Sequence, residues 1–181
     1  MASSMAPPTD RTAVVAHYVI TRARAEKLGK VKLNKVMWYA DLESYRRFGH
    51  TITGQRSYQK LQHGPVPNNI VRATRSLERD GAISLRTVAT PVGQRHEFVW
   101  LKEADVTQFS SAEVDILNTT IDWVCDNHSA CSISDLSHDA LWEETDLNEQ
   151  IPIGAASLTI AEATAEEISW ALKELPLAPE E

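Results

Sequence analysis

The chain has 181 residues, 43% hydrophobic and 24% charged, with a net charge of −7. That suffices for one domain burying about 70% of its unfolded surface and is too short for two well-cored ones. No apolar run approaches the roughly 18 residues of a membrane-spanning helix, and MASSMAPPTD lacks the basic-then-apolar order of a secretory signal, so a cytoplasmic protein without membrane partners is expected.

The acidic total hides a segregation. Residues 11–60 carry eleven Lys and Arg against three acids, whereas residues 100–181 carry two Lys against eighteen acids. The two halves are expected to attract as packed faces of one domain, each exposed pair worth about 0 to 1 kcal/mol, or else to form a polarised partner-binding surface.

Residues 1–8 lack periodicity and are expected to be a disordered leader, followed by one domain over 9–175 and a flexible acidic tail over 176–181. Thr9 or Asp10 can cap a first helix whose stripe is Val14, Val15, Tyr18, Val19, Ala25 and Leu28, with Gly29 ending it. His17, beside the stripe, is expected to be a satisfied edge residue. A second helix, Val31 to Phe48, places Leu33, Val36, Met37, Ala40, Leu42 and Tyr45 on a core face, and Lys32, Lys35, Glu43, Arg46 and Arg47 mostly on the other side. Gly49 suits its left-handed termination.

Thr53-Gly54 reads as a turn, Ser57–Gln62 as a short strand, and His63-Gly64-Pro65-Val66-Pro67 as a rigid corner, because each proline fixes its own φ and restrains the residue before it. Asn68 or Asn69 can cap a third helix that turns Ile70, Ala73, Thr74 and Leu77 inward and Arg72, Arg75 and Arg79 outward, ending at Asp80-Gly81. Residues 82–90 and 94–101 are β-prone and joined through Pro91-Val92-Gly93, as in a hairpin. A helix followed by such a hairpin is the arrangement of a winged-helix DNA reader, although the acidic total opposes DNA affinity.

Ser110 with Glu113 makes a capping box for a helix with Val114, Leu117, Ile121, Val124 and Cys125 inside, ending near Asn127. Ser134–Glu144 reads as one shorter helix with Leu136, Ala140 and Leu141 inward, and His138 and Trp142 as i, i+4 neighbours. Thr164 with Glu167 opens a last helix through Ile168, Ala171, Leu172 and Leu175, stopped by Pro176. The fold class is therefore mainly α, of the α+β kind: one compact helical domain with a small β-hairpin or sheet.

Cys125, His128 and Cys131 form a C-x-x-H-x-x-C pattern, with His138 a conceivable fourth ligand, but zinc sites pair a chelating turn with a second, distant pair that this chain lacks. Reduced thiols and no metal are expected, and no cofactor. His63 and His138, with Asp139, Glu143 or Glu144, offer histidine–carboxylate pairs, but no G-x-S-x-G, H-E-x-x-H or phosphate-cradling glycine loop accompanies them, so no catalytic residue is assigned.

The segments KLNKVMWYAD, YRRFGHTITGQ, HGPVP and LSHDALWEE, with the pair Ile151-Pro152, lie in an order and at separations over roughly residues 10–155 that resemble the Panacea, or SocA-like, antitoxin domain. The resemblance implies an antitoxin that neutralises a cognate toxin protein, some members acting as adaptors that hand the toxin to an ATP-dependent protease, and it transfers no catalytic residue. Within the motifs, Lys32, Leu33, Tyr39, Ala40, Asp41, Gly54, Gly64, Pro65, Val66, His138, Trp142, Ile151 and Pro152 are expected to be structural. The candidates for partner contact are Tyr45, Arg46, Arg47, Arg56, Tyr58, Gln62 and His63, because Tyr and Arg dominate binding hot spots and a rigid bend presents its neighbours at little entropic cost.

Overall fold

The structure, a computed structural model, describes residues 10–90 and 93–158. The leader, the hairpin residues Pro91-Val92, the helix expected from Thr164 and the acidic tail lie outside the described residues.

Helix α1 (Arg11–Arg22) begins where Asp10 accepts a hydrogen bond from the Thr12 amide, and it buries Val15, Tyr18 and Val19. It ends six residues before Leu28, the last member of the expected stripe. Ala23 is extended, and a turn over residues 24–28 carries Leu28 into the core from outside the helix, which is why its spacing mimics helical periodicity. His17 Nε2 lies 2.9 Å from the Lys102 carbonyl, the satisfied edge position expected.

Helix α2 (Lys30–Phe48) is the central element, packed by α1, by the strand Gly64–Pro67 and by the helices Ser111–Asn127, Ala130–Leu136 and Ile153–Ser157, and closed by Gly49 at φ 74°. Leu33, Val36, Met37, Ala40 and Leu42 are buried as the periodicity predicts. Lys32 and Lys35, assigned to its outer side, are buried too: α2 is covered nearly all round, and their long stems cross apolar surface before the ammonium finds a carbonyl.

Strand β1 (Ser57–Leu61) pairs antiparallel with β2 (Gly64–Pro67) on one side and β5 (Gln150–Pro152) on the other, giving the order β2-β1-β5. The expected corner is thus a tight hairpin. Its prolines are tolerated because β2 is an edge strand, where a missing N–H need cost no ladder bond. Tyr58 faces Pro67 and Ile151 across the sheet and points into the core.

Helix α3 (Ile70–Arg79) and the hairpin β3 (Ile83–Thr90) with β4 (Gly93–Trp100) follow the predicted spans closely. A short 3₁₀ turn at Val106–Gln108 leads to α4 (Ser111–Asn127), which opens with the expected capping box. Its acidic face meets the basic N-terminal half: Arg11 pairs with Glu113 at 3.0 Å, and Lys27 with Asp126 at 2.5 Å.

The predicted helix over Ser134–Glu144 is two helices, α5 (Ala130–Leu136) and α6 (Ala140–Glu144), followed after β5 by α7 (Ile153–Ser157). The break has a local cause. Ser137 Oγ bonds back to the Ser134 carbonyl at 2.7 Å, and Asp139 accepts from the Trp142 amide at 2.9 Å, starting a new helix. Ile133 is therefore the buried anchor, and Leu136, expected inside, is half exposed.

Candidate functional site

A groove of about 930 Å³ opens on one side of the described residues. Its walls come from the start of α2, the turn of the β1–β2 hairpin, the outer face of α3, the β3–β4 hairpin and the loop at Leu147-Asn148. Leu33, Val66, Ile70, Val71, Leu85, Phe98 and Leu147 make it apolar, and Val71 and Leu147 are each 59% exposed. Lys30 and Arg75 set two exposed positive charges there against one acid, Glu78; His63 and His96 add polar rings, and Lys35 lies buried beneath. An apolar concavity of this size with a few convergent polar groups is the usual form of a binding site.

Lys35 is the unusual member. It is 1% exposed, meets no carboxylate among the described residues, and its ammonium reaches only the Pro65 carbonyl at 3.4 Å. Burial lowers its pKa to about 7, because nothing compensates the lost hydration of the charged form. Gly64, at φ 99°, covers it: a methyl group there would collide with Lys35 Nζ and Ser137 Oγ, so the HGPVP glycine is set both by its backbone conformation and by the lysine beneath it.

The candidate contact residues separate into three sets. Gln62 and His63 are exposed and line the groove, as a corner presenting its neighbours predicts. Arg46 and Arg47 are exposed at the far end of α2, about 18 Å along the helix from Asn34 in the groove. They edge a smaller cleft of about 270 Å³ between α2 and α4, where Arg47 pairs with Glu43 at 2.5 Å and Arg46 Nε donates to the Ser157 carbonyl at 3.3 Å. Tyr45 is half buried, its hydroxyl against Gly154 of α7, and Arg56 is exposed, its carbonyl accepting from the Ile153 amide.

Tyr58 belongs to none of these sets. It is fully buried, packs edge-on against Trp38 at 5.0 Å between ring centroids, and donates to Asp41 Oδ2 at 2.8 Å. Its place as a contact residue is corrected: strand alternation sends it inward, and its hydroxyl has a partner there.

Asp41 explains much of the family-like pattern. Wholly buried, it accepts from the Thr53 amide at 3.0 Å, from the Thr53 hydroxyl and from Tyr58, tying α2 to the turn ending at Gly54 (φ 75°) and to β1. Burial raises its pKa, and the hydrogen bonds from Thr53 and Tyr58 pull against that rise. Leu33, Ala40 and Ile151 are core residues, and Pro152 caps α7. Lys32 donates to the Cys125 carbonyl at 3.2 Å.

His138 and Trp142 stack with ring centroids 3.6 Å apart, as expected, although the helix break falls between them, and Lys60 Nζ lies 3.9 Å from the Trp142 ring. Burial and then the nearby Lys35 lower the His138 pKa. His138 Nε2, Trp142 Nε1 and Tyr39 Oη are buried and have no hydrogen-bond partner among the described residues, and Tyr39 sits edge-on to Trp123. Among the described residues neither His63 nor His138 hydrogen-bonds Asp139, Glu143 or Glu144, and Asp139 caps α6. Cys125 is buried, Cys131 is exposed beside Asp135, and among the described residues no three His, Cys, Asp or Glu side chains converge as a metal site would require.

Sequence reasoning missed the groove walls on α3 and the 147–148 loop. Val71 was the only local signal, an apolar residue on the face that carries three arginines. No helix among the described residues is long and apolar enough to cross a membrane. No curated protein and no solved structure matches the chain. A family model described as "Antitoxin SocA-like, Panacea domain" matches residues 33–143, which takes in the buried Asp41 network, the β1–β2 hairpin over Lys35, most of the groove and the His138–Trp142 stack. With more than half its length so matched, the chain belongs to the SocA-like Panacea antitoxin domain family.

Proposed function

We propose that this antitoxin-family protein neutralises a cognate toxin by direct protein–protein binding, and that the groove between α2, the β1–β2 hairpin and α3 is the docking surface. One observation carries the reading: large side chains, Val71 and Leu147, stand exposed in a concavity rimmed by Gln62, His63 and Arg75. Exposed apolar area gathered in a polar-rimmed hollow is what a partner surface needs. The protein acts by binding and not by catalysis in this reading.

The test is co-expression with the product of the neighbouring reading frame, scored by growth rescue and co-purification. His63→Ala and Val71→Glu should each weaken the complex at least about tenfold while leaving the melting temperature within about 3 °C. Full rescue by both variants would move the interface to the cleft at Arg46 and Arg47. Delivery of the toxin to an ATP-dependent protease is separated from simple blocking by the toxin's half-life, which shortens only if the protein is an adaptor.

A second reading has its own support. Helix α3 is followed directly by a hairpin and exposes Arg72, Arg75 and Arg79, as a winged DNA reader would. Binding to its own promoter, falling steeply with salt, would establish it.

A further inference from the structure

We infer that the groove takes an acidic segment of the protein partner: a stretch of chain that sets a bulky apolar side chain against Val71 and Leu147 and carboxylates against Arg72, Arg75 and Lys30. The inference rests on the groove being the docking surface, and it adds the chemistry that the docked segment must have.

The fate of the other positive charges points there first. Arg11 and Lys27 pair with acids of α4, Arg47 with Glu43 and Arg79 with Asp80, while Arg86 and Arg95 share Glu97. Lys32, Lys60 and Lys102 each donate to a backbone carbonyl. Among the described residues, Lys30, Arg56, Arg72 and Arg75 are the exposed bases whose side chains meet neither an acceptor nor an aromatic ring, and all but Arg56 gather at the groove. Lys30 and Arg75 line it. Val71 and Arg75 also belong to a neighbouring hollow of about 720 Å³, where Arg72 joins them. The one acid in the groove, Glu78, is engaged by the Leu85 amide at 3.0 Å. An exposed guanidinium with no internal partner can receive a carboxylate through two parallel hydrogen bonds without breaking an existing pair.

The apolar lining selects a peptide over a nucleic acid. Leu33, Ile70 and Phe98, with the exposed Val71 and Leu147, offer contact area to an aliphatic or aromatic side chain and nothing to a phosphate. Asp10 lines the neighbouring hollow and Asp80 stands beside Arg79 at the end of α3, so an unbroken row of phosphates would meet carboxylates as well as arginines. A peptide can place its acids only where the cations are, with its apolar residue between them.

The test uses the full chain and, as probe, a display library of random short peptides. Peptides recovered on the protein should carry Asp and Glu at least about threefold above the input, beside a Leu, Ile, Phe or Trp. The tightest of them, made synthetically, should lose at least about tenfold in affinity for Arg72→Glu combined with Arg75→Glu. Arg22→Glu combined with Arg24→Glu changes the net charge equally at exposed positions outside the groove and should cost less than about twofold. Enrichment of neutral or basic peptides, recovery of none, or equal losses in the two double variants overturns the inference. Growth rescue judges the docking surface separately. Loss of rescue by Val71→Glu alongside neutral peptides keeps the groove and discards the acidic occupant, whereas full rescue by both Val71→Glu and His63→Ala removes the docking surface and the inference with it. Tighter binding of duplex DNA from the protein's own upstream region, lost when Arg72 and Arg75 are reversed, assigns the arginines to phosphate and likewise overturns the inference.

Discussion

Asp41 and Lys35 lie six residues apart on the same helix, both essentially removed from solvent, yet the protein treats the two charges in opposite ways. Asp41 receives three hydrogen bonds from two elements and holds them together. Lys35 donates one long hydrogen bond, to the Pro65 carbonyl, and keeps its proton only weakly. A buried charge with a complete set of partners is a structural tie, whereas one without a set marks a place where the fold has accepted a cost. Here that place is the floor of the groove.

The sharpest way to break the comparison is at its satisfied end. Asp41→Ala should cost about 4 kcal/mol in denaturant unfolding, because the Thr53 amide and the hydroxyls of Thr53 and Tyr58 lose a buried acceptor together. A loss under about 1 kcal/mol would mean that the network is not what joins α2 to β1.

Gly64→Ala should cost about 3 kcal/mol, through the positive φ and through displacement of the Lys35 ammonium. Combining it with Lys35→Ala, which removes the lysine's share of the obstruction but leaves Ser137 Oγ and the backbone strain, should recover part of that loss.

Lys35 itself predicts a pH dependence of definite sign. Its folded pKa lies near 7 and its unfolded value near 10.5, so between those limits the unfolded chain binds more protons and stability rises with pH. From pH 7 to 9 the gain should be about 2 kcal/mol. Above pH 10 the raised pKa values of Tyr39 and Tyr58 act the other way, because there the folded state holds the extra protons. Lys35→Met should flatten the curve between 7 and 9, and a slope that survives the substitution would place its origin elsewhere.

The smallest effect belongs to the exposed charges. Reversing Arg47 to Glu should change stability by less than about 1 kcal/mol, the ordinary worth of an exposed i, i+4 pair, even though Glu43 lies within hydrogen-bond reach.

The difference between Asp41 and Lys35 also shows what could be read in the sequence. Helix α2 with its glycine stop, the Ser110–Glu113 box and the β3–β4 hairpin were legible, since each rests on local chemistry: spacing, a cap or a turn. The burial of Lys35 was not, because charge normally marks a solvent face and only tertiary cover from the hairpin and α5 overrides it. Tyr58 looked like a binding residue because alternation separates two faces of a strand without marking which is covered, and the cover here comes from Trp38 and Asp41 of α2. The α5–α6 break was hidden because helical periodicity runs across it, while two side chains, those of Ser137 and Asp139, redirect the backbone. Of the candidate contacts, Gln62 and His63 reached the groove because a turn fixes its neighbours locally; the walls that face them come from distant parts of the chain.

The prolines at both borders of the three-stranded sheet limit how this protein can be recognised. β2 carries Pro65 and Pro67, and β5 is three residues long and ends in Pro152. Neither border offers the unbroken row of amides that another strand requires, so a visiting chain cannot extend this sheet by backbone pairing. Recognition is left to side chains and shape, and the same stiffness guards the sheet against the edge-to-edge aggregation that an open border invites.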